Sequence, residues 1–347
     1  MARIIVATSH PLFAHGGHLV IAEALVDALR AAGHDAATLL TPQNRFGRQG
    51  AAYTATWLTD VERAHDGRPV DQVISLRFPS YALRHSAHVC WLNHRMREYY
   101  DQWPVFRSGL SPRAALKEQV RRRVIHAADR FLLTRNVTRV FAQSRTIQDR
   151  LMAWGHIPST VVYPPPPRRA YRCDAYDDFI LVVSRLTPLK RVGLVIDAVA
   201  ERGMLGARVV VVGDGDDLRR LRAHAATQGV SERVIFRGQV DETELLNQLA
   251  RCRAVCFPSQ HEDYGLVTLE AFSSSKAVVT CADSGGPAEL VVDGVSGFVT
   301  PPNAKGLAAA LGRVGGDAPL AERLGAAARR QADAVTWEHT LDQLLLV

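Results

Sequence analysis

The chain is expected to fold as an α/β protein with two Rossmann-like, doubly wound domains. Three observations carry this expectation. Residues 3–8 are a short β-branched run, followed by a glycine-containing loop and a stretch of helical apolar spacing over 19–32 that stops at Gly33. Strand, glycine loop and helix in that order open a doubly wound domain. The pattern restarts at 178–184, DFILVVS, after four consecutive prolines, Pro164, Pro165, Pro166 and Pro167. Finally, 347 residues suit two domains of ordinary size.

The first domain is expected over 1–167. The loop of its opening unit contains His10, His15, Gly16, Gly17 and His18. In such units this loop lies at the C-terminal edge of the sheet, where ligands bind. Residues 36–40 read as a second strand. The polar stretch 42–55, rich in Gln, Arg and Gly, is expected to be a mobile loop. Strands follow at 70–75 and 88–94. The latter, HVCWLNH, ends on Asn93 and His94; a histidine there either projects into the ligand cleft or caps the next helix. Residues 111–133 read as a strong helix. It carries Arg113, Lys117, Arg121, Arg122, Arg123 and Arg130, with an apolar face expected from Val120, Val124, Ile125 and Ala128. Basic amphipathic helices bind anionic membrane surfaces; a solvated helix with an ordinary core face is the alternative. A strand at 137–143, a helix at 146–154 with Ser144 as N-cap and a strand at 161–163 complete the domain. The prolines cannot continue a sheet and form a stiff linker.

The second domain is expected over 168–347. After its first strand, Arg185 and Lys190 stand in a strand-to-helix loop before a helix at 192–200, where the helix N-terminus adds to their positive field. The strand 207–212 ends in GDGDD. Asp214-Gly215-Asp216 has the spelling of a metal-holding D-x-D, but its setting reads as a tight turn before the helix from 218. A strand at 234–237 precedes Gly238, Gln239 and Val240, a helix at 241–249 and a strand at 254–258. A strand at 277–281 leads through a turn at 283–287 into a helix with Glu289, read as structural. The Ala-rich segment 307–333 reads as helix, and 337–346 as a final amphipathic helix.

Residues 257–272, FPSQHEDYGLVTLEAF, hold Glu262 and Glu270 with seven residues between them. Gly265 introduces an apolar run that reads as a helix start. The N–H groups of Gly265, Leu266 and Val267 are then free to face an anion. Glu262 sits in the entering loop and Glu270 in the second turn. Donors for phosphate flanked by acids for hydroxyls suit a phosphate-bearing sugar.

Composition narrows the function classes. Apolar content of 47% and charged content of 22% describe a globular protein, and no run approaches the roughly 18 apolar residues of a membrane span. The N-terminus lacks a signal-peptide pattern, so a cytoplasmic location is expected, with peripheral membrane association open. Five scattered cysteines argue for reduced thiols and against zinc. The net charge of +7 is uneven: residues 1–169 carry +11 and the remainder −4. The first half is therefore expected to meet something anionic. Nucleic acid is a poor candidate despite a pI of about 9.4, because no binding motif is present and the aromatics are not interleaved with the basic residues.

The acidic string with its flanks resembles the nucleotide-binding signature of the retaining glycosyltransferases of family 4 (group 1), which have the two-domain GT-B fold with the domains facing a central cleft. The resemblance covers the second domain nearly fully and the first more loosely. It implies an acceptor-binding N-terminal domain and a nucleotide-sugar-binding C-terminal domain whose terminal helix crosses back to the first. It implies that Arg185 and Lys190 grip the diphosphate, that Glu270 binds the ribose and Glu262 the sugar, and that the Val240 stretch touches the base through its backbone. Gly16 and Gly17 match the family's first-loop glycine pair near donor phosphate and acceptor. His94 matches its sugar-contacting histidine, with His88 as second choice. One departure is Ser275-Lys276-Ala277, where relatives show glycine and proline; a changed turn is expected.

The expected activity is transfer of a hexosyl unit from a UDP- or GDP-linked sugar to a hydroxyl of a glycan, glycolipid or small molecule. Retention of configuration, with no cofactor and no metal, is expected. A nucleotide-sugar epimerase or phosphorylase on the same fold is the alternative, ahead of a non-catalytic membrane-surface adaptor.

Overall fold

The computed structural model describes residues 1–10, 16–43, 47–201 and 208–346. They form two compact units, Met1–Pro167 with Thr336–Val347, and Arg168–Val335. Among the described residues no helix is long and apolar enough to cross a membrane.

The first unit holds β1 (Arg3–His10), β2 (Asp35–Pro42), β3 (Gln72–Arg77), β4 (His88–His94), β5 (Arg139–Ala142) and β6 (Thr160–Val161). They pair in parallel in the order β2-β1-β3-β4-β5-β6. β3 is buried along its whole length, as a parallel strand covered on both faces must be. The helix Gly17–Ala31 buries Ile21, Leu25, Ala28 and Leu29 against the sheet, the row expected of one helical face. The terminal helix Trp337–Leu344 belongs to this unit. Trp337 packs edge-on to Trp91 with centroids 6.4 Å apart and donates to the Pro166 carbonyl at 3.2 Å. Gln72 meets the backbone of Leu344 and Leu346 at 2.7 and 2.9 Å.

Three expectations for this unit fail. The stretch 42–55 is not a loop throughout: it holds the end of β2 and most of a helix, Gln49–Trp57, while residues 44–46 lie outside the described ones. Tertiary contacts fix that helix. The Tyr53 hydroxyl donates to Asp129 and its ring meets Phe78 edge-on at 4.9 Å. The helix expected over 111–133 runs Pro112–Phe131 with Ser111 as its cap, but its faces are reversed at key positions. Val120 and Val124 are 55% and 63% exposed, while Glu118 and Asp129 join Ile125 on the buried side. Tyrosine hydroxyls make this tolerable, since buried carboxylates need donors. Tyr99 donates to Glu118 at 2.8 Å, and Tyr53, Tyr81 and Tyr100 all donate to Asp129. The third failure is His88. It opens β4, as the expected bounds 88–94 have it, but is fully buried and bonds the Ser75 hydroxyl at 2.8 Å. Burial pushes its pKa down to about 4, and it stands at the wrong end of the strand for a ligand contact.

The second unit holds β7 (Phe179–Val183), β8 (Arg208–Val212), β9 (Val234–Gly238), β10 (Ala254–Cys256), β11 (Val278–Cys281) and β12 (Gly297–Thr300). The order is β12-β11-β10-β7-β8-β9, again parallel. β7 and β8 read FILVV and RVVVV, the β-branched composition of a sheet covered on both faces. From β7 the chain winds through β8 and β9 on one side, then returns to β10, β11 and β12 on the other. The switch point therefore lies between β7 and β10, beyond whose C-terminal ends such sheets bind ligands. The segment 307–333 is not one helix: Ala304–Gly316 and Ala318–Asp333 are separated at Asp317, whose carboxylate caps the Leu320 N–H at 2.9 Å, with Pro319 in the first turn. At the departing Ser275-Lys276-Ala277, Ser275 takes a left-handed φ of 55°. Lys276 is buried, its Nζ 3.8 Å above the Tyr176 ring centroid.

Candidate functional site

Three loops converge at the switch point of the second unit: 184–191 after β7, 257–265 after β10 and 282–286 after β11. Main-chain bonds join them. The Gln260 N–H donates to the Leu189 carbonyl at 2.7 Å, His261 to Asp283 at 2.9 Å and Glu262 to Ser284 at 2.8 Å. The Gly286 N–H donates back to the Glu262 carbonyl at 3.1 Å. A buried main-chain group left unpaired would be costly, so this lacing sets the height of Glu262 above the sheet.

Glycines make the close approach possible. A Cβ on Gly286 would lie 2.4 Å from the Tyr264 carbonyl oxygen. Gly265 is the N-cap of the helix Leu266–Ser273 at φ 78°, a left-handed conformation that favours glycine. A Cβ there would meet Pro287 at 2.6 Å. The first-turn N–H groups of Leu266 and Val267 have no intrahelical acceptor. The β8 turn supports the loop after β7 from beneath. Leu186 donates to the Asp214 carbonyl at 2.9 Å, and Cβ atoms on Gly213 or Gly215 would lie 1.9 and 2.3 Å from the carbonyls of Ser184 and Leu186. Asp214-Gly215-Asp216 is thus a turn in contact with the site's foundation, with the Asp214 carboxylate taking the Gly215 N–H at 2.7 Å.

Lys190 and Glu262 meet directly. The ammonium of Lys190 is ion-paired with Glu262 Oε2 and stands 5.2 Å from the Phe257 ring centroid. The Lys190 and Glu262 side chains are 21% and 22% exposed, reachable yet held. Arg185 is exposed, and among the described residues its guanidinium has no bonded partner. Val240 is half-buried just past β9, whose last residue, Gly238, accepts the Gly213 N–H at 2.8 Å. Glu270 lies in the second turn of its helix and is buried. Burial pushes its carboxyl up, opposed by the Arg169 guanidinium. Arg169 Nη1 reaches Oε1 at 2.7 Å and the Tyr171 hydroxyl donates to the same oxygen at 3.2 Å.

The second unit therefore builds one site from Lys190, Glu262, Gly265, Leu266 and Val267, with Glu270 on the same helix. Arg185 stands in the loop after β7 and Val240 just past β9 of the same unit; the remaining candidates, His94, Gly16 and Gly17, belong to the first unit. His94 ends β4 and is half-buried, its Nδ1 2.6 Å from the Arg95 carbonyl; it lines a cavity of about 20 Å³ with Arg97 and Arg150. Gly16 caps the helix Gly17–Ala31 in an extended conformation and accepts the Leu19 N–H at 3.0 Å. A Cβ on Gly17 would meet open space. His15 lies outside the described residues.

Sequence reasoning missed three contributors. Arg191, next to Lys190, takes a left-handed φ of 51° and grips Asp283 through two bonds of 2.7 and 2.5 Å. Its guanidinium holds the Asp283 carboxyl below the usual range. The Arg-Asp spacing of 92 residues leaves no local trace. Arg169 and Tyr171 follow the prolines in a stretch with neither strand nor helix pattern.

Comparison with known proteins bears on this geometry. Residues 168–331 match the family model described as glycosyl transferases group 1. A D-inositol 3-phosphate glycosyltransferase of Jonesia denitrificans is 32% identical over 182 residues, covering 49% of this chain and 42% of that relative; the match thus spans under half of the relative's length. Two solved structures are similar over nearly the whole chain. A sucrose-phosphate synthase from Thermosynechococcus elongatus has a TM-score of 0.76 at 18% identity, covering 99% of this chain and 97% of that one. Anabaena HepE in complex with UDP and glucose has a TM-score of 0.72 at 18% identity, covering 99% of both. At such identity the likeness establishes the fold, which is that of the GT-B glycosyltransferases.

Proposed function

From the match of residues 168–331 to the family model of the group 1 glycosyl transferases, we propose that the protein moves a hexosyl unit from a nucleoside-diphosphate sugar, UDP- or GDP-linked, to an acceptor hydroxyl, with retention of configuration. The observation that carries this reading is the convergence of Lys190, Glu262 and the bare first turn at Gly265 on the switch point between β7 and β10.

The chemistry follows from where charge develops. Breaking the bond between the anomeric carbon and the phosphate oxygen leaves negative charge on the departing diphosphate. Arg185, Lys190 and the N–H groups of Gly265, Leu266 and Val267 stabilise that charge from preorganised positions, so the step needs no metal. Glu262 receives the sugar's hydroxyls, and donor entry loosens its pair with Lys190. Glu270 takes the ribose, the Val240 stretch the base, and His94 with Gly16 and Gly17 are the first unit's contributions to sugar and phosphate. The acceptor oxygen bonds to the anomeric carbon on the face the phosphate leaves, and its proton passes to the leaving phosphate oxygen.

The joint variant Arg185→Ala with Lys190→Ala tests this. Transfer is expected to fall by roughly 10³-fold or more with the melting temperature little changed, and to be insensitive to EDTA in the wild type. Near-normal turnover in the variant removes the assignment. Release of free nucleotide from donor alone, at the rate seen with acceptor, favours the epimerase class instead.

A second reading concerns where the enzyme works. At about 100° per residue, Leu116, Val120 and Val124 fall on one arc of the helix Pro112–Phe131 with Arg113, Lys117 and Arg123, opposite the buried Glu118, Ile125 and Asp129. The three apolar residues of that arc are 55–70% exposed. An outward apolar row among cations suits an anionic bilayer surface. Sedimentation with anionic but not neutral vesicles, lost in Val120→Gln with Val124→Gln, supports peripheral contact; indifference to lipid charge sinks it.

A further inference from the structure

The carboxylate of Glu270 is held asymmetrically. Both donors that reach it, Arg169 Nη1 and the Tyr171 hydroxyl, fall on Oε1. Among the described residues no donor meets Oε2, and the side chain keeps 7% exposure. Arg169 is itself fixed from a second direction, its Nε 2.9 Å from Glu242 Oε2, in the first turn of the helix Glu242–Arg251 that follows the Val240 stretch. Further along the same segment, the Tyr176 hydroxyl donates to the Ser275 carbonyl at 2.7 Å, and the Ala175 carbonyl accepts from buried Lys276. The segment is thus strapped along the helix that carries Glu270, from its second turn to just past its C-terminus.

From this geometry we infer that Arg169 and Tyr171 are positioning residues that turn Glu270 so that Oε2 is presented to a pair of neighbouring hydroxyls, making the site selective for ribo- over 2′-deoxyribonucleotides. The inference rests on the nucleotide-sugar reading above and deepens it. A carboxylate with two donors already on each oxygen could not accept from a ribose diol. One with neither occupied would be free to rotate, and burial would favour its neutral form, a poorer acceptor. Two donors on one oxygen fix the orientation of the group and leave the other oxygen vacant. Arg169 also links Glu270 to the Val240 side, so its loss should loosen ribose recognition without touching Lys190, Arg185 or the diphosphate.

The test measures affinity by calorimetry for UDP and 2′-deoxy-UDP, and for the guanine and adenine pairs, in the wild type, Glu270→Gln, Arg169→Met, Arg169→Lys and Tyr171→Phe. The wild type should bind the ribo form on the order of 10-fold tighter, the worth of one well-made charged hydrogen bond. Arg169→Met and Glu270→Gln should bring the ratio to within about 2-fold by weakening the ribo form alone. Arg169→Lys should restore part of it. With sugar nucleotide as substrate, KM should rise in Arg169→Met while kcat changes little. If Arg169→Met does not fold, Tyr171→Phe, which keeps the ring and removes one donor, should still narrow the ratio. A ratio kept at the wild-type value in both variants, or an equal loss for both nucleotides, overturns the inference. A wild type that binds both forms equally overturns it while leaving the nucleotide reading intact. A wild type that binds none of the diphosphates removes both.

Discussion

The two units are fastened in different ways. In the C-terminal unit, the loops at the sheet edge are laced by main-chain bonds from Gln260, His261, Glu262 and Gly286, and glycines at 213, 215, 265 and 286 let backbones approach where a Cβ would collide. In the N-terminal unit, buried side chains drawn from separate elements do the fastening. Asp129 collects hydroxyls from Tyr53, Tyr81 and Tyr100, and Arg95 lies 3.9 Å over Tyr100 while donating to the carbonyls of Trp154 and Arg150. A main-chain lattice tolerates change in most side chains but not at its glycines. A side-chain network fails wherever one member is lost. The family match stays within the laced unit, at 168–331.

The difference makes contrasting predictions. Asp129→Ala strands three tyrosine hydroxyls in the core and should cost about 4 kcal/mol, seen by urea denaturation as early loss of the N-terminal unit. Nucleotide affinity of the remaining C-terminal unit should persist. A variant with wild-type stability would mean the network is ornamental.

Acid should separate the units next. His88 titrates near 4 when folded against about 6.5 in the unfolded chain. The unfolded state therefore takes up the proton first. Stability is fully present above about pH 6.5 and declines toward pH 4, by about 3 kcal/mol. Asp283, held low by Arg191, instead supports the C-terminal unit above the ordinary carboxylate pKa and fails it only as pH falls through its depressed folded value. Stability curves at pH 7, 5.5 and 4 should show a slope in wild type that His88→Gln flattens; equal slopes would exclude His88 as the source.

Gly286→Ala should have the smallest effect on stability and the most local one. Moving the Tyr264 backbone out of the way should cost about 2 kcal/mol and lower nucleotide affinity roughly 10-fold, with the N-terminal unit unaffected. Unchanged affinity would show that the lacing does not set the site.

The same contrast explains what could be read in advance. Gly265, the Glu262–Glu270 pair, the Arg185-Lys190 loop and the Asp214 turn are local strings because main-chain geometry is local. Arg191 with Asp283, and Arg169 and Tyr171 with Glu270, were invisible, since each bond spans 92 to 101 residues. In the N-terminal unit, the helix Gln49–Trp57 and the buried Glu118 and Asp129 defied a reading by periodicity, because tyrosines from elsewhere supply the donors that let polar groups turn inward.

Crystals soaked with UDP-glucose or GDP-mannose address the whole reading at once. The diphosphate should lie on Arg185, Lys190 and the first turn at Gly265, with Lys190 released from Glu262 toward the phosphates. Phosphates bound elsewhere, or chelated by a divalent ion with Lys190 still on Glu262, would contradict it.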